Sequence, residues 1–319
     1  MQIIDIINKN IESGKSSFAF ELLPPLKGGG LTPLFDAIDP LVNYSPAYIN
    51  ITFHREGIKR SSTQSEQWHI TRHRPGTVGV SAAIEHRYSI PTVPHLICGG
   101  LSKYDIEDYL IDMDFLGIEN ILALQGDKSK NEIHFMPHQQ GYRYAAELVE
   151  QIVAMNNGEF IDSEVETPHR TNFSIGVAGY PEVHYAANDA QSDMENLKEK
   201  VDAGAQYIVT QMFFDNSKYF DFVERCRQAG ITVPIIPGLK PLATYAQLEA
   251  LPRIFSITIP EELRSAVEAV KGDKDAIKRV GIEWSKAQSR ELIEAKVPIV
   301  HYYTMSKTDA IQEIVKELF

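Results

Sequence analysis

The chain has 319 residues, of which 43% are hydrophobic, and this is enough for one large core. It carries 31 basic and 43 acidic side chains, which give a formal net charge of −12. This balance argues against a nucleic-acid-binding protein, because neutralising phosphates requires a basic face. Cys98 and Cys226 are too few for a disulfide framework and form no CxxC motif, so we expect free, buried thiols in a reducing compartment.

The hydropathy pattern gives no sign of a membrane. The N-terminal segment, residues 1–17, is amphipathic and mixed in charge and lacks the apolar stretch of a signal peptide. No window approaches the roughly 18 uninterrupted apolar residues of a membrane span. We therefore expect a cytoplasmic protein without a membrane partner.

Short strand patterns alternate with helical patterns along the whole chain. The predicted strands are Ser17–Leu22, Tyr48–Phe53, Val93–Cys98, Asn120–Gln125, Phe173–Ala178, Gln206–Met212, Val233–Pro237 and Pro298–Tyr303. The predicted helices are Leu34–Asn43, Thr77–Tyr88, Lys103–Leu116, Arg143–Met155, Asp189–Ala203, Ser217–Gln228, Thr244–Leu251, a helix-rich region Glu261–Glu294, and Thr308–Leu318. This alternation predicts the α/β class and a single (β/α)8 TIM barrel over residues 1–319.

Segments 55–75, 128–142 and 157–172 have irregular patterns. The first two follow predicted strand ends, where the loops of a barrel carry function.

Residues 173–215 form the clearest strand–helix–strand unit. Asn188 or Asp189 can cap its helix, and Gly204 follows the last turn. An apolar stripe along this helix predicts packing on the sheet; it consists of Ala190, Met194, Leu197 and Val201. A second, polar stripe consists of Asp193, Asn196 and Lys200, downstream of a loop that contains Tyr180, Glu182 and His184. That stripe is either a solvated face or a grip for the ribose and diphosphate of a nucleotide.

Strand parity predicts which polar side chains meet. Alternate residues of a barrel strand face the interior and the helices. Glu21, Asp127, Tyr180 and Gln211 each continue the parity of one side of their strands, namely that of Ala19, Ala123, Ala178 and Val209. We therefore predict that these four side chains converge on the C-terminal mouth of the barrel.

Glu21 is the strongest candidate for an acid. It lies between apolar neighbours and is followed by Pro24 and Pro25, which stiffen the chain. A carboxyl group against apolar walls loses hydration, so its pKa rises and it can act as an acid near neutral pH. The alternative is a structural carboxylate that pairs with a lysine or arginine of the barrel.

Asp127 follows a glycine at the end of the fourth predicted strand. Gly126 allows the backbone to approach a planar ligand closely, and the carboxylate of Asp127 can accept from the donor edge of an aminopyrimidine. Alternatively, Asp127 makes an Asx turn with Lys128 and Ser129.

Several common site motifs are missing from the sequence. His69 and His73, like His134 and His138, have i, i+4 spacing but lack the further ligands of a zinc signature, so we expect no metal. The chain has no GxGxxG after a strand, no P-loop and no GxSxG elbow.

Nine motifs occur in an order that resembles the catalytic domain of methylenetetrahydrofolate reductase, nearly end to end. They are FELLPP at 20–25, NITF at 50–53, PHLIC at 94–98, LQGD at 124–127, GYPEVH at 179–184, NLKEKVDAGA at 196–205, TQMFFD at 210–215, IIPG at 235–238 and HYYT at 301–304. Each motif alone is weak, and their common order is specific.

The resemblance implies an enzyme of one-carbon metabolism and methionine biosynthesis. It would reduce 5,10-methylenetetrahydrofolate to 5-methyltetrahydrofolate with NADH or NADPH, through FAD and by ping-pong transfer. It also implies a cytoplasmic homo-oligomer, a tetramer or dimer, with one FAD-binding barrel domain and no regulatory domain.

The resemblance also assigns roles to residues. Glu21 would be the acid that helps to open the methylene bridge to a 5-iminium cation, and Asp127 the second catalytic carboxylate. The implied flavin-binding residues are Thr52, Phe53, His95, Gln125, Gly126, Asp127, Tyr144, Ala145, Tyr180, His184, Ala187, Asp193, Asn196 and Lys200. The implied substrate-binding residues are Glu21, Thr52, Asp127, Gln211, Gln247 and Lys307.

The sequence departs from the family pattern at some of these positions. Gln125 stands where the family commonly has arginine, which removes a cation beside the flavin. Phe53 replaces a tyrosine, and Lys307 replaces an arginine and so loses the planar fork of a guanidinium.

Two alternative functions stay open. One is a barrel lyase or aldolase that uses Glu21 and Asp127 without a redox cofactor; we expect no lysine at an inward strand end, which weighs against its Schiff-base form. The other is a catalytically silent protein that binds flavin or folate.

Overall fold

The computed structural model describes residues 1–55, 57–60, 68–71, 73–128, 132, 134–162, 164–183, 187, 189–304 and 307–319. The strands are β1 (Ser17–Leu22), β2 (Ile49–Ile51), β3 (Gly57–Arg60), β4 (Trp68–Thr71), β5 (Thr92–Ile97), β6 (Asn120–Leu124), β7 (Ser174–Gly179), β8 (Tyr207–Met212), β9 (Ile235–Leu239) and β10 (Ile299–Tyr303). The helices are α1 (Ile3–Ser13), α2 (Thr32–Val42), α3 (Thr77–Tyr88), α4 (Lys103–Phe115), α5 (Ala145–Asn156), α6 (Ala190–Asp202), α7 (Asn216–Gln228), α8 (Gln247–Phe255), α9 (Glu261–Ala269), α10 (Lys274–Glu294) and α11 (Asp309–Leu318).

Eight parallel strands close into a barrel in the order β1-β10-β9-β8-β7-β6-β5-β2. Helical crossovers return the chain between successive strands, as parallel pairing requires. The predicted (β/α)8 barrel is therefore confirmed. Its strands all point the same way, so their C-terminal ends meet at one mouth.

The barrel interior and the helix layer have separate cores. The interior side chains are Ala19, Tyr48, Val93, Leu122, Tyr207, Val209, Ile236 and Ile299, together with Ile3 and Ile7 of α1. The larger core lies between the strands and the surrounding helices. In β6 the residues Leu122 and Leu124 face the interior, while Ile121 and Ala123 pack toward the helices.

Helix α1 closes the N-terminal end of the barrel, and the sequence did not predict it as an element. Ile3 and Ile7 are fully buried beneath the strands. The backbone N–H of Ile3 donates to Oδ1 of Asn120, the first residue of β6, at 2.8 Å. The Nδ2 of Asn10 donates to the carbonyl of Pro298, directly before β10, at 2.9 Å.

Local chemistry sets the ends of several helices. Asp189 caps α6 by accepting from the N–H of Ser192 at 2.8 Å, so the capping prediction holds for Asp189; Asn188 lies outside the described residues. The predicted helix at Thr244–Leu251 starts later, at Gln247, because the side-chain oxygen of Gln247 accepts from the N–H groups of Ala243 and Thr244.

The segment 55–75 differs from the prediction of an irregular loop. Strands β3 and β4 pair antiparallel within it, from Gly57 opposite Thr71 to Arg60 opposite Trp68. Among the described residues, no helix combines the length and the apolar character needed to cross a membrane.

Candidate active site

The mouth of the barrel collects polar side chains from nearly every strand. Glu21 lies near the end of β1. Six further polar side chains lie at the ends of other strands or directly after them. These are Thr52 after β2, Gln125 after β6, Tyr180 after β7, Gln211 in β8, Lys240 after β9 and Tyr303 at the end of β10.

Burial keeps a large share of Glu21 protonated near neutral pH. Its side chain is 14% exposed, and this burial raises its pKa from 4.5 to about 7. A hydrogen bond with Thr52 and the charge of Lys240 act in the opposite direction. The Thr52 hydroxyl also donates to the carbonyl of Leu22 at 3.1 Å, so a protonated Glu21 can donate into this hydroxyl chain. Glu21 can therefore hold a proton at a pH where a carboxyl group of ordinary pKa has lost it.

His95 faces Glu21 from β5. Its Nε2 lies 3.5 Å from Oε2 of Glu21, and the residue is 4% exposed. Burial and the nearby His54 lower the pKa of His95 to about 3, so the imidazole is neutral. The resemblance assigned His95 to the flavin, and in the structure its side chain contacts the acid.

The floor below Glu21 is polar but uncharged. Among the described residues, Tyr48, Asn50, His95, Tyr207 and His301 have buried polar atoms without a hydrogen-bond partner. Burial lowers the pKa of His301 to about 3 and raises that of Tyr48. These groups bring no charge to the interior, so Glu21 stays in a poorly solvated surrounding.

Asp127 reaches the mouth by a different route from the one predicted. Since Leu122 and Leu124 face the interior, the parity argument for Asp127 is wrong. Asp127 lies three residues beyond the end of β6 and directly after Gly126, whose φ is +83°. The carboxylate is exposed. Burial and the charge of Arg74 lower the pKa of His54, which follows β2, and the charge of Asp127 partly offsets this, so Asp127 lies near His54. The loop, rather than the strand, places Asp127 at the mouth.

Gly126 makes a close approach possible. A Cβ at this position would lie 3.0 Å from Cβ of Ile97, and the positive φ would strain any other residue. Beside it, the side-chain nitrogen of Gln125 donates to the carbonyl of Arg143 at 2.8 Å. Gln125 therefore fastens the segment that leads into α5.

Tyr303, Tyr180 and Gln211 line the side of the mouth formed by β7, β8 and β10. The Tyr303 hydroxyl donates to the carbonyl of Thr210 at 2.7 Å, and burial raises its pKa. Tyr180 and Glu21 both act electrostatically on Tyr303, so the three groups are neighbours. The register of β8 against β9 shifts between Val209 and Met212, so the predicted parity of Gln211 with Val209 does not hold across this irregularity. The side-chain oxygen of Gln211 accepts from the N–H of Met212 at 2.9 Å.

Helix α6 carries the polar stripe predicted to hold a nucleotide. Asn196 is exposed and Asp193 is half-buried. The Lys200 ammonium, however, donates to the carbonyl of Ala178 at 2.6 Å. Burial lowers the pKa of Lys200 to about 8, although Asp193 raises it. Lys200 thus ties α6 to β7, and a contact with phosphate requires that bond to break.

The remaining implied residues lie around the rim. Phe53 packs edge-on against Tyr109 of α4, with ring centroids 6.0 Å apart, so its ring faces the helices. Tyr144, 54% exposed, and Ala145 begin α5, while Ala187 lies in the loop before α6. Gln247 begins α8, and the exposed Lys307 follows β10. His184 lies outside the described residues.

Two mouth residues were missed by the sequence analysis. Lys240 directly follows β9 on its inward side and acts on Glu21, so the expectation that no lysine occupies an inward strand end was wrong. His54 lies between the charges of Arg74 and Asp127. Strand parity could have found Lys240, since Ile236 and Gly238 precede it at alternate positions.

We searched the described residues for clusters of side chains that could bind a metal ion. No group of three or more His, Cys, Asp or Glu side chains there could hold a metal ion. The described mouth holds a buried carboxyl group, a lysine and a neutral imidazole.

Comparisons with known proteins identify the family of the chain. The family model described as methylenetetrahydrofolate reductase matches residues 6–319. Methylenetetrahydrofolate reductase (NADH) 1 of Arabidopsis thaliana is 30% identical over 96% of this chain, which spans about half (49%) of that relative. The 5,10-methylenetetrahydrofolate reductase of Salmonella typhimurium is 30% identical over 93% of this chain and 88% of its own. An uncharacterized protein from Clostridium thermocellum, which binds two copies of 5-methyl-5,6,7,8-tetrahydrofolic acid, shares the fold with a TM-score of 0.59 and 14% identity, over 98% of each chain.

The fold and the mouth define a (β/α)8 barrel with a buried carboxyl group of raised pKa at the C-terminal ends of its strands. By the match of its sequence over nearly its whole length, the chain belongs to the methylenetetrahydrofolate reductase family.

Proposed function

We propose that this protein reduces 5,10-methylenetetrahydrofolate to 5-methyltetrahydrofolate, with FAD as its cofactor and NADH or NADPH as the hydride source. The nicotinamide would react first and leave before the folate binds at the same face. The observation that carries the proposal is Glu21, a carboxyl group with a pKa of about 7 at the mouth of a barrel of this family.

Glu21 would supply the proton for opening the methylene bridge. Opening the bridge leaves electron density on a folate nitrogen, and a neutral carboxyl group beside it can donate a proton there. Thr52 then has its hydroxyl in place to stabilise the carboxylate that remains. Asp127, exposed at the rim after β6, would bind the amino edge of the pterin.

The described residues fit a flavin in most respects. Gly126 permits a close approach of the backbone, Tyr144 offers an exposed ring at the start of α5, and Asn196 offers an exposed side-chain amide on α6. When bound, FAD would accept and return the hydride. Lys200 would serve the site by holding α6 against β7.

Half-reaction spectroscopy tests this proposal. We expect a purified protein with a flavin spectrum, which bleaches with NADH or NADPH under anaerobic conditions and recovers its colour with methylenetetrahydrofolate. Glu21→Gln should slow the second step by about 100-fold or more and leave the first within about threefold.

Glu249→Gln is the matched control, since this exposed carboxylate pairs with Arg264 outside the mouth. A colourless preparation that takes up no FAD would overturn the proposal. So would a Glu21→Gln variant that keeps the folate step. A protein that binds flavin and folate but transfers no electrons would be the silent binder.

Lys240 gives the lyase alternative one favourable observation, because a half-buried amine stands near Glu21. A Schiff base would form at this amine with a carbonyl substrate. Borohydride trapping of labelled carbonyl compounds on Lys240, in a protein without flavin, would favour the lyase.

A further inference from the structure

Lys240 lies in the same layer of the barrel as Glu21. Strand β9 ends at Leu239, and its inward positions are Ile236 and Gly238, so Lys240 continues the inward side. Lys240 is half-buried there.

The strand register, extended by one residue beyond Leu239, agrees with this placement. Ala19 of β1 stands beside His301 of β10, and His301 stands beside Gly238 of β9. Two residues further along, Glu21 stands beside Tyr303. The residue that completes this row on β9 is Lys240, two positions after Gly238.

Tyr303 belongs to β10, which lies between β1 and β9, and its ring leans toward Gly238, one row below Lys240. A Cβ on Gly238 would lie 2.6 Å from Cε2 of Tyr303, so the ring lies over Gly238. The hydroxyl continues to the carbonyl of Thr210 on β8. Glycine at 238 thus lets the tyrosine ring pass beneath Lys240 toward β8.

The charges agree with the geometry. Burial lowers the pKa of Lys240, and Glu21 raises it; in return, Lys240 lowers the pKa of Glu21. The other groups that face Glu21 are Thr52 after β2, His95 of β5 and Tyr303 of β10, and none of them is positively charged at neutral pH.

We propose that Lys240 is a positioning residue that stabilises the Glu21 carboxylate left after proton donation, and so sets how readily Glu21 gives up its proton. This inference rests on the proposed function. The ammonium need not touch the folate, because its effect passes through Glu21. Its charge acts strongly here, since the neutral floor of the barrel screens it poorly.

The test is the pH dependence of the folate half-reaction in variants of Lys240. Lys240→Met removes the charge and nearly keeps the volume, and Lys240→Arg keeps the charge. In Lys240→Met we expect the rate on the acid side to fall about tenfold and the midpoint of the alkaline decline to rise by about one pH unit. Lys240→Arg should restore both to within about threefold of the original protein.

The control is Lys103→Met, which removes one charge from a lysine whose ammonium lies 5.2 Å from the ring centre of Tyr104. It should leave the midpoint and both half-reactions unchanged. The nicotinamide half-reaction should stay within about twofold in every Lys240 variant, because Glu21 takes no part in it.

The double variant Glu21→Gln, Lys240→Met guards against a purely structural effect. Since Lys240 acts through Glu21, its removal should cost no further rate once Glu21 is an amide. Additive losses in the double variant, or an unchanged midpoint in Lys240→Met, would overturn the inference. Equal losses in Lys240→Met and Lys240→Arg would also overturn it. A protein that is not reduced by nicotinamide would instead refute the proposed function.

Discussion

Glu21 joins stability to function because the same burial controls both. In the folded chain the pKa of Glu21 is about 7, whereas the ordinary value, which applies to the unfolded chain, is 4.5. Between these values the folded state binds a proton that the unfolded state has released. The free energy of unfolding therefore falls as pH rises through this window, by at most about 3 kcal/mol, and the loss is complete above pH 7.

Glu21→Gln should remove this loss. We expect the variant to gain stability relative to the original protein between pH 5 and pH 8, because an amide pays no ionisation cost in the buried site. Urea unfolding of both proteins at the two pH values measures the difference. Parallel pH dependence in the two proteins would contradict the assignment of a raised pKa to Glu21.

The sequence predicted some site residues better than others, for physical reasons. Glu21 followed from strand parity, since β1 is regular up to its end. Asp127 did not, because Gly126 turns the backbone with a positive φ and breaks the alternation. Lys200 lies on the polar face predicted to bind a nucleotide, but its ammonium donates to the carbonyl of Ala178. Parity fails where a residue with a positive φ, such as Gly126, interrupts the alternation. Spacing along a helix predicts a shared face but not the partner of each side chain.

At the scale of elements, the barrel strands were predicted to within a few residues and the N-terminal helix was missed. Strands buried on both sides give continuous apolar runs, which are easy to recognise. The segment 1–17 has an amphipathic pattern, but the pattern does not identify the surface against which its apolar side packs. The hairpin of β3 and β4 lies in a polar stretch without regular alternation, so the sequence indicated a loop there.

Helix α1 should contribute measurably to stability because it covers the N-terminal end of the barrel. Ile7→Ala removes a fully buried side chain and should lower the free energy of unfolding by about 2–5 kcal/mol. Ile11→Ala, on the same helix but 51% exposed, is the matched control and should change it by less than about 1 kcal/mol. Equal effects would show that α1 does not seal the barrel.

At the scale of the whole molecule, the net charge is negative, but the mouth of the barrel contains positively charged side chains. The total is −12, yet Lys240 and Arg74 lie at the mouth and act on Glu21 and His54. A few local cations are enough to favour an anionic ligand in a concave site. The barrel supports them because its strands all end at one rim, so side chains far apart in sequence meet there.

The central claim is that a neutral Glu21 delivers a proton to the folate. Its most direct test is the rate at which methylenetetrahydrofolate reoxidises the reduced protein, measured anaerobically from about pH 5.5 to 9. The account predicts one ionisation near pH 7, with fast reoxidation below it and a decline of about tenfold per pH unit above it. A rate that does not change with pH, or that rises through pH 7, would contradict it.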